Sequence, residues 1–194
     1  MRPPYRFDGL LTRPLIEARL AAVRPFVARG VRLLDVGCGL TALPGRAGPY
    51  LGCDRSREIL DENRRRHPAA RFVLWDVEAE EVPDEIRTSG PFDVILFLAL
   101  LEHLSEPGHV FVRTAPLLAE GGRLVVTTPS PSGGTPLRVG AALGLLSRHA
   151  ADEHENVLSR VDLRSAGAAA GLHLVHHRRF LLGLNQVAVF ARAG

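Results

Sequence analysis

The chain has 194 residues, 46% of them hydrophobic and 23% charged, and this length and composition predict one globular domain with a sizeable core. All 24 basic residues are arginines, which excludes a Schiff-base lysine, a P-loop lysine and a Ser-Lys dyad. Neither an apolar run of roughly 20 residues nor a secretory signal is found, so we expect a protein without a membrane span. The two cysteines, Cys38 and Cys53, are too few for a disulfide framework, and we expect reduced thiols in the cytoplasm.

The net charge of +3 and the pI of about 9.5 raise the question of nucleic-acid binding. The one basic run, Arg64-Arg65-Arg66-His67, falls at the end of a predicted helix, where positive charge complements the helix dipole. We therefore expect a solvated helix end there, and nucleic acid is not favoured as a partner.

Short apolar runs alternate with amphipathic stretches, which predicts β-α units on a mostly parallel sheet. A helix is expected at 12–29, weakened or kinked by Pro25, and a second from the cap Ser56 to about Arg66. A third is expected at about 108–119, ended by Gly121-Gly122. The predicted strands are 31–36, 50–53, 71–75, 92–98 and 123–128, the fourth being apolar enough for a central position.

The C-terminal part begins with a turn-rich break at 129–134 and a short apolar helix at 137–146. Ser159 begins a further helix that ends at Gly171, and strands at 173–181 and 186–191 form a hairpin about Gly183. This hairpin places one antiparallel strand beside strand five. We expect one domain over 1–194, with an N-terminal helical segment at 1–30 and a candidate substrate lid at 129–158.

A strand runs into a glycine-rich turn at Leu33-Leu34-Asp35-Val36-Gly37-Cys38-Gly39, where glycines let a ligand approach the backbone. Dinucleotide-binding proteins need G-x-G-x-x-G/A and an acid roughly 20 residues further on. The segment 37–42 satisfies this pattern, and Asp54 follows Gly37 by 17 residues (54 − 37). The glycines by themselves therefore leave NAD and S-adenosylmethionine open.

Asp35 favours one of these two cofactors. If its side chain points into the crevice, it repels a pyrophosphate and attracts a sulfonium and an ammonium group. The alternative is a solvated or capping carboxylate at the strand end. We predict the first arrangement, and with it S-adenosylmethionine.

The segment resembles motif I of class I S-adenosylmethionine-dependent methyltransferases, most closely the small-molecule branch related to ubiquinone and menaquinone biosynthesis (methyltransferase type 11). The resemblance covers about 31–190. It includes Phe92-Asp93-Val94-Ile95-Leu96-Phe97, the exit loop Leu101-Glu102-His103-Leu104 and the turn Gly121-Gly122-Arg123. It implies an α/β fold with a Rossmann-like, doubly wound, seven-stranded sheet, mostly parallel with an antiparallel C-terminal hairpin strand.

The resemblance also implies roles for individual residues. The glycine loop lies against the methionine part of the cofactor, Asp54 holds the ribose hydroxyls, and Asp76 sits near the adenine amine. The expected cofactor-binding residues are Asp35, Gly37, Cys38, Gly39, Asp54, Arg55, Asp76, Val77 and Leu98. The chain departs from the family at Thr41, which replaces the third glycine, and in the short stretch 39–51, which predicts a truncated first crossover.

Methyl transfer is an in-line displacement that needs alignment and, in some cases, proton removal. His103 is the first candidate base because it follows strand four at the ligand-binding edge of the sheet. Some relatives hold a divalent metal with this Glu-His pair and an acid three residues earlier, but Ala99 stands there, so we predict no metal. His154 is the second candidate; His154-Glu155 does not extend to H-E-x-x-H because Leu158 stands at the closing position.

The acceptor is expected to be a small molecule. Amino-methylating relatives carry an Asn/Asp-Pro-Pro-aromatic turn after strand four, where this chain has Leu98-Ala99-Leu100-Leu101. Oxygen is therefore favoured as the methylated atom, with nitrogen and carbon left open. The alternatives are an NAD-linked oxidoreductase, for which there is no room for a separate substrate domain, and a non-catalytic binding protein that keeps the fold.

Overall fold

The computed structural model describes residues 12–41, 43–44, 48–132 and 157–193. Within these ranges a seven-stranded sheet has the order β3-β2-β1-β4-β5-β7-β6. The strands are β1 (Leu33–Val36), β2 (Tyr50–Asp54), β3 (Arg71–Leu74), β4 (Phe92–Leu98), β5 (Leu118–Pro129), β6 (Leu172–Phe180) and β7 (Asn185–Arg192). The predicted Rossmann-like α/β fold is confirmed.

Strands β3, β2, β1, β4 and β5 run parallel, so their carboxyl ends meet at one edge of the sheet. Strand β7 pairs antiparallel with β5 and with β6, which confirms the expected hairpin and its place beside strand five. The order in which the strands follow one another across the sheet reverses at β1, whose two neighbours are β2 and β4. Ligands of doubly wound sheets bind at such a switch point.

The helices cover both faces of the sheet and pack on two apolar clusters. They are α1 (Thr12–Val23), α2 (Arg57–Arg66), α3 (Asp84–Arg87), α4 (Pro107–Thr114) and α5 (Arg160–Ala169). Ser56 caps α2 by accepting from the Ile59 amide, and Ser159 caps α5 in a reciprocal box with Asp162, as the sequence predicts. None of the helices in the described ranges is long and apolar enough to cross a membrane.

Two predicted helices end earlier than expected, because each reaches a proline. The predicted helix 12–29 ends at Val23 and continues as a 3₁₀ turn that contains Pro25. The predicted helix 108–119 ends at Thr114, and a 3₁₀ turn that contains Pro116 leads directly into β5. A proline ring has no N–H to donate and clashes with the preceding turn, so a regular helix does not continue through it.

Two further elements differ from the prediction. Strand β5 begins at Leu118, so Gly121-Gly122 lies inside the strand instead of ending a helix. Helix α3 was not predicted, since four residues are too few to show a helical period. The predicted helix 137–146, most of the candidate lid 129–158 and His154 lie outside the described residues. The described residues between β1 and β2 contain no helix, in line with a truncated crossover.

Candidate functional site

A cleft of about 260 Å³ lies at the carboxyl edge of the sheet, where β1, β2, β3 and β4 end. Residues that follow each of these four strands contribute to its walls. The lining residues are Val36, Gly37, Gly39, Asp54, Arg55, Ser56, Ile59, Trp75, Asp76, Val77, Glu78, Ala99, Leu100, His103 and Leu104. The cleft thus occupies the switch point of the sheet.

The turn after β1 requires glycine at Gly37 for two reasons. Its φ is +66°, a conformation that side chains disfavour, and a Cβ there would lie only 2.7 Å from Cδ1 of Leu100. Gly39 also has a positive φ of +52°, but a Cβ there would meet open space. The glycines therefore bring bare backbone to the cleft wall.

Asp54 fixes this turn to the end of β2. Its side chain is largely buried; Oδ2 accepts from the Gly39 amide at 3.0 Å, and Oδ1 accepts from the Ser56 amide at 2.9 Å. Each carboxylate oxygen has a second lone pair that these bonds leave available. A cleft ligand with neighbouring hydroxyl groups therefore meets a carboxylate whose position is already set.

The loop after β3 forms another part of the wall and is held in place by hydrogen bonds within the protein. Asp76 Oδ1 accepts from the amides of Glu78 and Ala79 at 3.1 and 3.3 Å. Glu78 Oε1 accepts from the amide and the hydroxyl of Ser105, each at 2.7 Å, and Arg113 donates to the carbonyls of Val77 and Glu78. These contacts tie the loops after β3 and β4 together before any ligand binds.

The loop after β4 contributes the remaining part of the cleft wall. Ala99 has φ +55°, a conformation that costs about 1–2 kcal/mol for a residue other than glycine, and its amide donates to the Thr127 carbonyl at 2.9 Å. A 3₁₀ turn (Leu101–His103) follows. His103 lines the cleft, whereas Glu102 is fully buried on the other side of the turn.

Glu102 faces the N-terminal helix. Its Oε1 lies 3.6 Å from Nη2 of Arg19 on α1, and Arg19 Nε donates to Oδ1 of Asn185 at 3.1 Å. Burial lowers the pKa of Arg19, and the Glu102 carboxylate opposes that shift. No group of three or more His, Cys, Asp or Glu side chains suited to a metal is present within the described residues.

Asp35 does not line the cleft, in contrast to the arrangement that the sequence led us to expect. Its side chain is 1% exposed, and Oδ2 accepts from the Tyr50 hydroxyl at 2.8 Å, while Oδ1 has no partner in the described structure. Burial raises the pKa of this carboxyl to about 7, against the lowering effect of the Tyr50 hydrogen bond. Side chains alternate along β1, so Asp35 faces the same layer as the buried Leu33.

Cys38 and Leu98 also lie away from the cleft. Cys38 is buried, and its Sγ accepts a weak hydrogen bond from Asn63 on α2 at 3.6 Å. Leu98 is half-buried and packs with the apolar cluster beneath α1. Both are next to lining residues in sequence, but both pack with the apolar cluster on the other layer. For Leu98, which ends β4, the alternation of the strand is the reason.

Six of the expected cofactor-binding residues do line the cleft, and so does the candidate base His103. These six are Gly37, Gly39, Asp54, Arg55, Asp76 and Val77. The other eight lining residues, Glu78 and Ala99 among them, were not predicted as site residues. The spacing of Glu78 two residues after Asp76 is a detectable signal, but the positive φ of Ala99 leaves no trace in the sequence.

Comparison with known proteins identifies the family. The profile of the methyltransferase domain family matches residues 10–177, which is most of the chain. A ubiquinone biosynthesis O-methyltransferase of Aeromonas salmonicida is 28% identical over 152 residues, which cover 74% of this chain and 63% of that protein. The same enzyme of Caulobacter sp. is 33% identical over 105 residues, which cover 51% of this chain and 41% of that protein. The chain thus spans between about two fifths and two thirds of these relatives' length.

Solved structures share the fold at low sequence identity. A S-adenosylmethionine-dependent methyltransferase from Mesorhizobium loti superposes with a TM-score of 0.70 at 16% identity, covering 90% of this chain and 98% of that one. Magnesium protoporphyrin IX methyltransferase from Synechocystis, solved with bound S-adenosylhomocysteine, gives 0.65 at 16% identity, covering 93% and 83%. The chain belongs to the methyltransferase domain family, and its fold is that of the S-adenosylmethionine-dependent methyltransferases.

Proposed function

We propose that this chain transfers the methyl group of S-adenosylmethionine to a small-molecule acceptor, at oxygen. The observation that carries the proposal is the carboxylate of Asp54, held in the cleft wall by the amides of Gly39 and Ser56. The family match and the O-methyltransferase relatives support the same reaction.

The residues of the cleft fit this cofactor. Asp54 offers lone pairs to ribose hydroxyls, the bare backbone at Gly37 and Gly39 admits the methionine part, and Val77 with Asp76 offers an apolar and a polar contact for the base. When bound, the cofactor supplies an electrophilic methyl group on a positively charged sulfur. The chain's own groups contribute alignment and exclusion of water.

Because Asp35 is buried, its carboxyl contributes less negative charge beside the cleft than the sequence led us to expect. A carboxyl with a pKa of about 7 is only partly ionised at neutral pH, so it attracts a cation less than a free carboxylate does. Among the lining residues, Asp54, Asp76 and Glu78 contribute the negative charge instead, while Arg55 is the one arginine on the wall. The lining therefore remains more favourable to a cationic ligand than to a diphosphate.

Calorimetric titration separates this proposal from its alternatives. S-adenosylmethionine, S-adenosylhomocysteine and NAD are each titrated into the protein. We expect binding of the first two and none of NAD. NAD binding would support an oxidoreductase, and a flat titration with all three would support a non-catalytic binding protein.

His103 is proposed as the group that accepts the acceptor's proton, because it lines the cleft beside the exit of β4. We expect His103→Asn to lower turnover at least tenfold, roughly the lower end of general-base effects, with little change in S-adenosylhomocysteine affinity. Once an acceptor has been identified, a turnover assay measures the rate, and calorimetry on the same preparation measures the S-adenosylhomocysteine affinity. An unchanged rate would remove His103 from the mechanism, and His154 would then be the next variant to make.

We propose a small molecule as the partner of this site and the cytoplasm as its location. Cys38 and Cys53 are both free and buried, which fits a reducing compartment. The basic run at the end of α2 forms local ion pairs, including Arg65 and Arg66 with Glu62 at 2.6 Å, so its charge is partly neutralised. This pairing supports a helix-end role for the run in preference to a nucleic-acid contact.

A further inference from the structure

The turn between β6 and β7 holds two leucines in a conformation that leucine disfavours. Leu181 and Leu182 have φ values of +49° and +54°. The Gly183 amide donates to the Phe180 carbonyl at 3.1 Å, which closes the turn around them. A hairpin turn with two central residues of positive φ usually has the sequence Asn-Gly, because larger side chains clash with the backbone there. The two leucines therefore weaken the turn that they form.

The same leucines are exposed to solvent, although their backbone is held firmly. Leu182 is 103% exposed and Leu181 is 36% exposed in the described structure. The Gly183 carbonyl accepts from the hydroxyls of Ser130 and Ser132, the second at 3.0 Å, and these bonds anchor the base of the turn. Backbone strain that the surrounding structure maintains is typical of sites that bind a partner. We call Leu181 and Leu182 the leucine tip.

The strand that leads into the leucine tip is basic. Arg178 and Arg179 are both exposed, and neighbouring side chains of a strand point to opposite faces, so one arginine flanks the tip on each side. A strand rises about 3.3 Å per residue, which places these arginines roughly 7–10 Å behind Leu181. The whole hairpin 172–192 contains three arginines and three histidines but neither aspartate nor glutamate. It thus combines an apolar end with positive charge behind it.

We propose that the leucine tip docks this chain on the surface of a lipid bilayer that contains anionic lipids. The two leucines enter the boundary between head groups and acyl chains, and Arg178 and Arg179 contact the lipid phosphates. Amphipathic protein segments reach about 5–10 Å into this boundary, which is close to the distance between the leucines and the arginines. The chain lies on the bilayer and does not cross it.

The size and charge of the tip favour lipid over a second protein. A stable protein interface buries roughly 800 Å² of each partner, and two leucines at a protruding turn supply only a small part of that area. A bilayer requires no matching surface, because its lipids rearrange around an inserted side chain. The hairpin without acidic residues favours anionic over zwitterionic lipid.

The leucine tip lies at the same edge of the sheet as the cleft. Strand β7 runs antiparallel to β5 and begins with Asn185 opposite Pro129, so the turn before Asn185 lies at the carboxyl edge. A chain docked by this turn presents the cleft edge of the sheet to the membrane. Docking does not require the proposed reaction, and its test contains neither cofactor nor acceptor.

Replacement of both leucines separates docking from folding. We expect Leu181→Asn with Leu182→Gly to lower vesicle binding at least about tenfold, the effect of removing one leucine from an apolar environment. The urea midpoint of the same variant should rise, because Asn-Gly suits the turn. Val161→Ser is the matched control, since it removes an exposed apolar side chain from α5, and it should leave vesicle binding unchanged.

Co-sedimentation of the full chain with sucrose-loaded vesicles measures the binding. The vesicles contain either phosphatidylcholine alone or phosphatidylcholine mixed with phosphatidylglycerol. We expect the chain to bind the mixed vesicles more tightly, and added salt to weaken that binding. Arg178→Gln with Arg179→Gln should weaken binding to the mixed vesicles at least about fivefold, the effect of one basic residue near an anionic surface.

Equal vesicle binding by the Asn-Gly variant and the unmodified chain would overturn the proposal, and so would failure of the unmodified chain to bind the mixed vesicles. A lower urea midpoint of that variant would contradict it as well, because the leucines would then stabilise the fold. Analytical ultracentrifugation examines a different occupant. If the unmodified chain is a dimer and the Asn-Gly variant a monomer, the leucine tip joins two copies of this chain and lipid docking is wrong.

Discussion

Asp54 illustrates what one carboxylate does at the edge of this sheet. It ends β2, and it accepts one hydrogen bond from the Gly39 amide in the turn after β1 and one from the Ser56 amide just before α2. These bonds set the shape of the cleft before a ligand arrives, which reduces the ordering that binding requires.

Replacement of Asp54 by alanine is the direct test of this role. We expect Asp54→Ala to weaken S-adenosylhomocysteine binding by at least about 1–3 kcal/mol, the cost of losing hydrogen bonds to a buried charged group. Calorimetry measures it. Asp61→Ala is the control, because Asp61 is an exposed carboxylate on α2 that pairs with Arg64. Equal affinities for the two variants would refute the placement of the ribose at Asp54.

The buried carboxyl of Asp35 should make the free energy of unfolding depend on pH. Its pKa is about 7 in the folded chain, above the usual value of 3.8, so the folded state binds a proton that the unfolded state has released. Stability from this group is therefore present at low pH and falls as pH rises through 3.8 to 7, by at most about 1.4 kcal/mol per pH unit.

Urea unfolding between pH 5 and pH 8 measures this effect when the chain is compared with Asp35→Asn. The variant cannot ionise at this position, so we expect its stability relative to the unmodified chain to increase with pH. Parallel curves for the two proteins would show that Asp35 titrates normally and that its burial has no energetic consequence.

At the scale of elements, α1 is attached to the sheet by an apolar contact and by one charged side chain. Ala22 and Val23 pack on the apolar cluster with Val125 and Val187. Arg19 adds the contacts to Asn185 and Glu102. Because Glu102 is fully buried, Arg19 does more than join two elements; it also neutralises a charge inside the protein.

Removal of Arg19 should therefore be costly. We expect Arg19→Met to lower the free energy of unfolding by about 3–5 kcal/mol, since a carboxylate is left buried without a cation. Urea denaturation measures the change. The exposed Arg13 on the same helix gives the control Arg13→Met, for which we expect a change within about 0.5 kcal/mol.

The double variant Arg19→Met with Glu102→Gln should recover part of that loss, because the buried charge is then gone as well. If Arg19→Met proves no worse than Arg13→Met, the ion pair does not hold α1. If the double variant is as unstable as the single one, the loss comes from packing of the arginine stem and not from the charge.

At the scale of the whole molecule, parallel strands decide where function can lie. Four strand exits meet at one edge, and each contributes a different feature: bare backbone, Asp54, the loop at Asp76 and the turn with His103. The antiparallel hairpin of β6 and β7 extends the sheet beyond β5 and supplies Asn185 to the layer beneath α1. Asn185 thus joins the hairpin to α1 through Arg19.

The sequence by itself determined the succession of elements, because hydrophobic period and glycine or proline punctuation are local properties. Strand β4 matches its predicted bounds, and the glycines and Asp54 were found because their residue types suit the ends of strands. The family resemblance added the doubly wound, seven-stranded sheet and the role of Asp76, which local patterns do not contain.

Only the tertiary structure decided which way each side chain faces and what it meets there. Asp35 is next to the cleft residue Val36 in sequence, but its side chain lies in the other layer, since neighbouring side chains on a strand point apart. Cys38, in the turn after β1, lies in that layer because it packs against α2. The pairing of Arg19 with Glu102 joins residues far apart in the chain, and no local pattern specifies it. Contacts between distant segments arise from packing, so the pair of Arg19 with Glu102 and the burial of Asp35 became visible only in three dimensions.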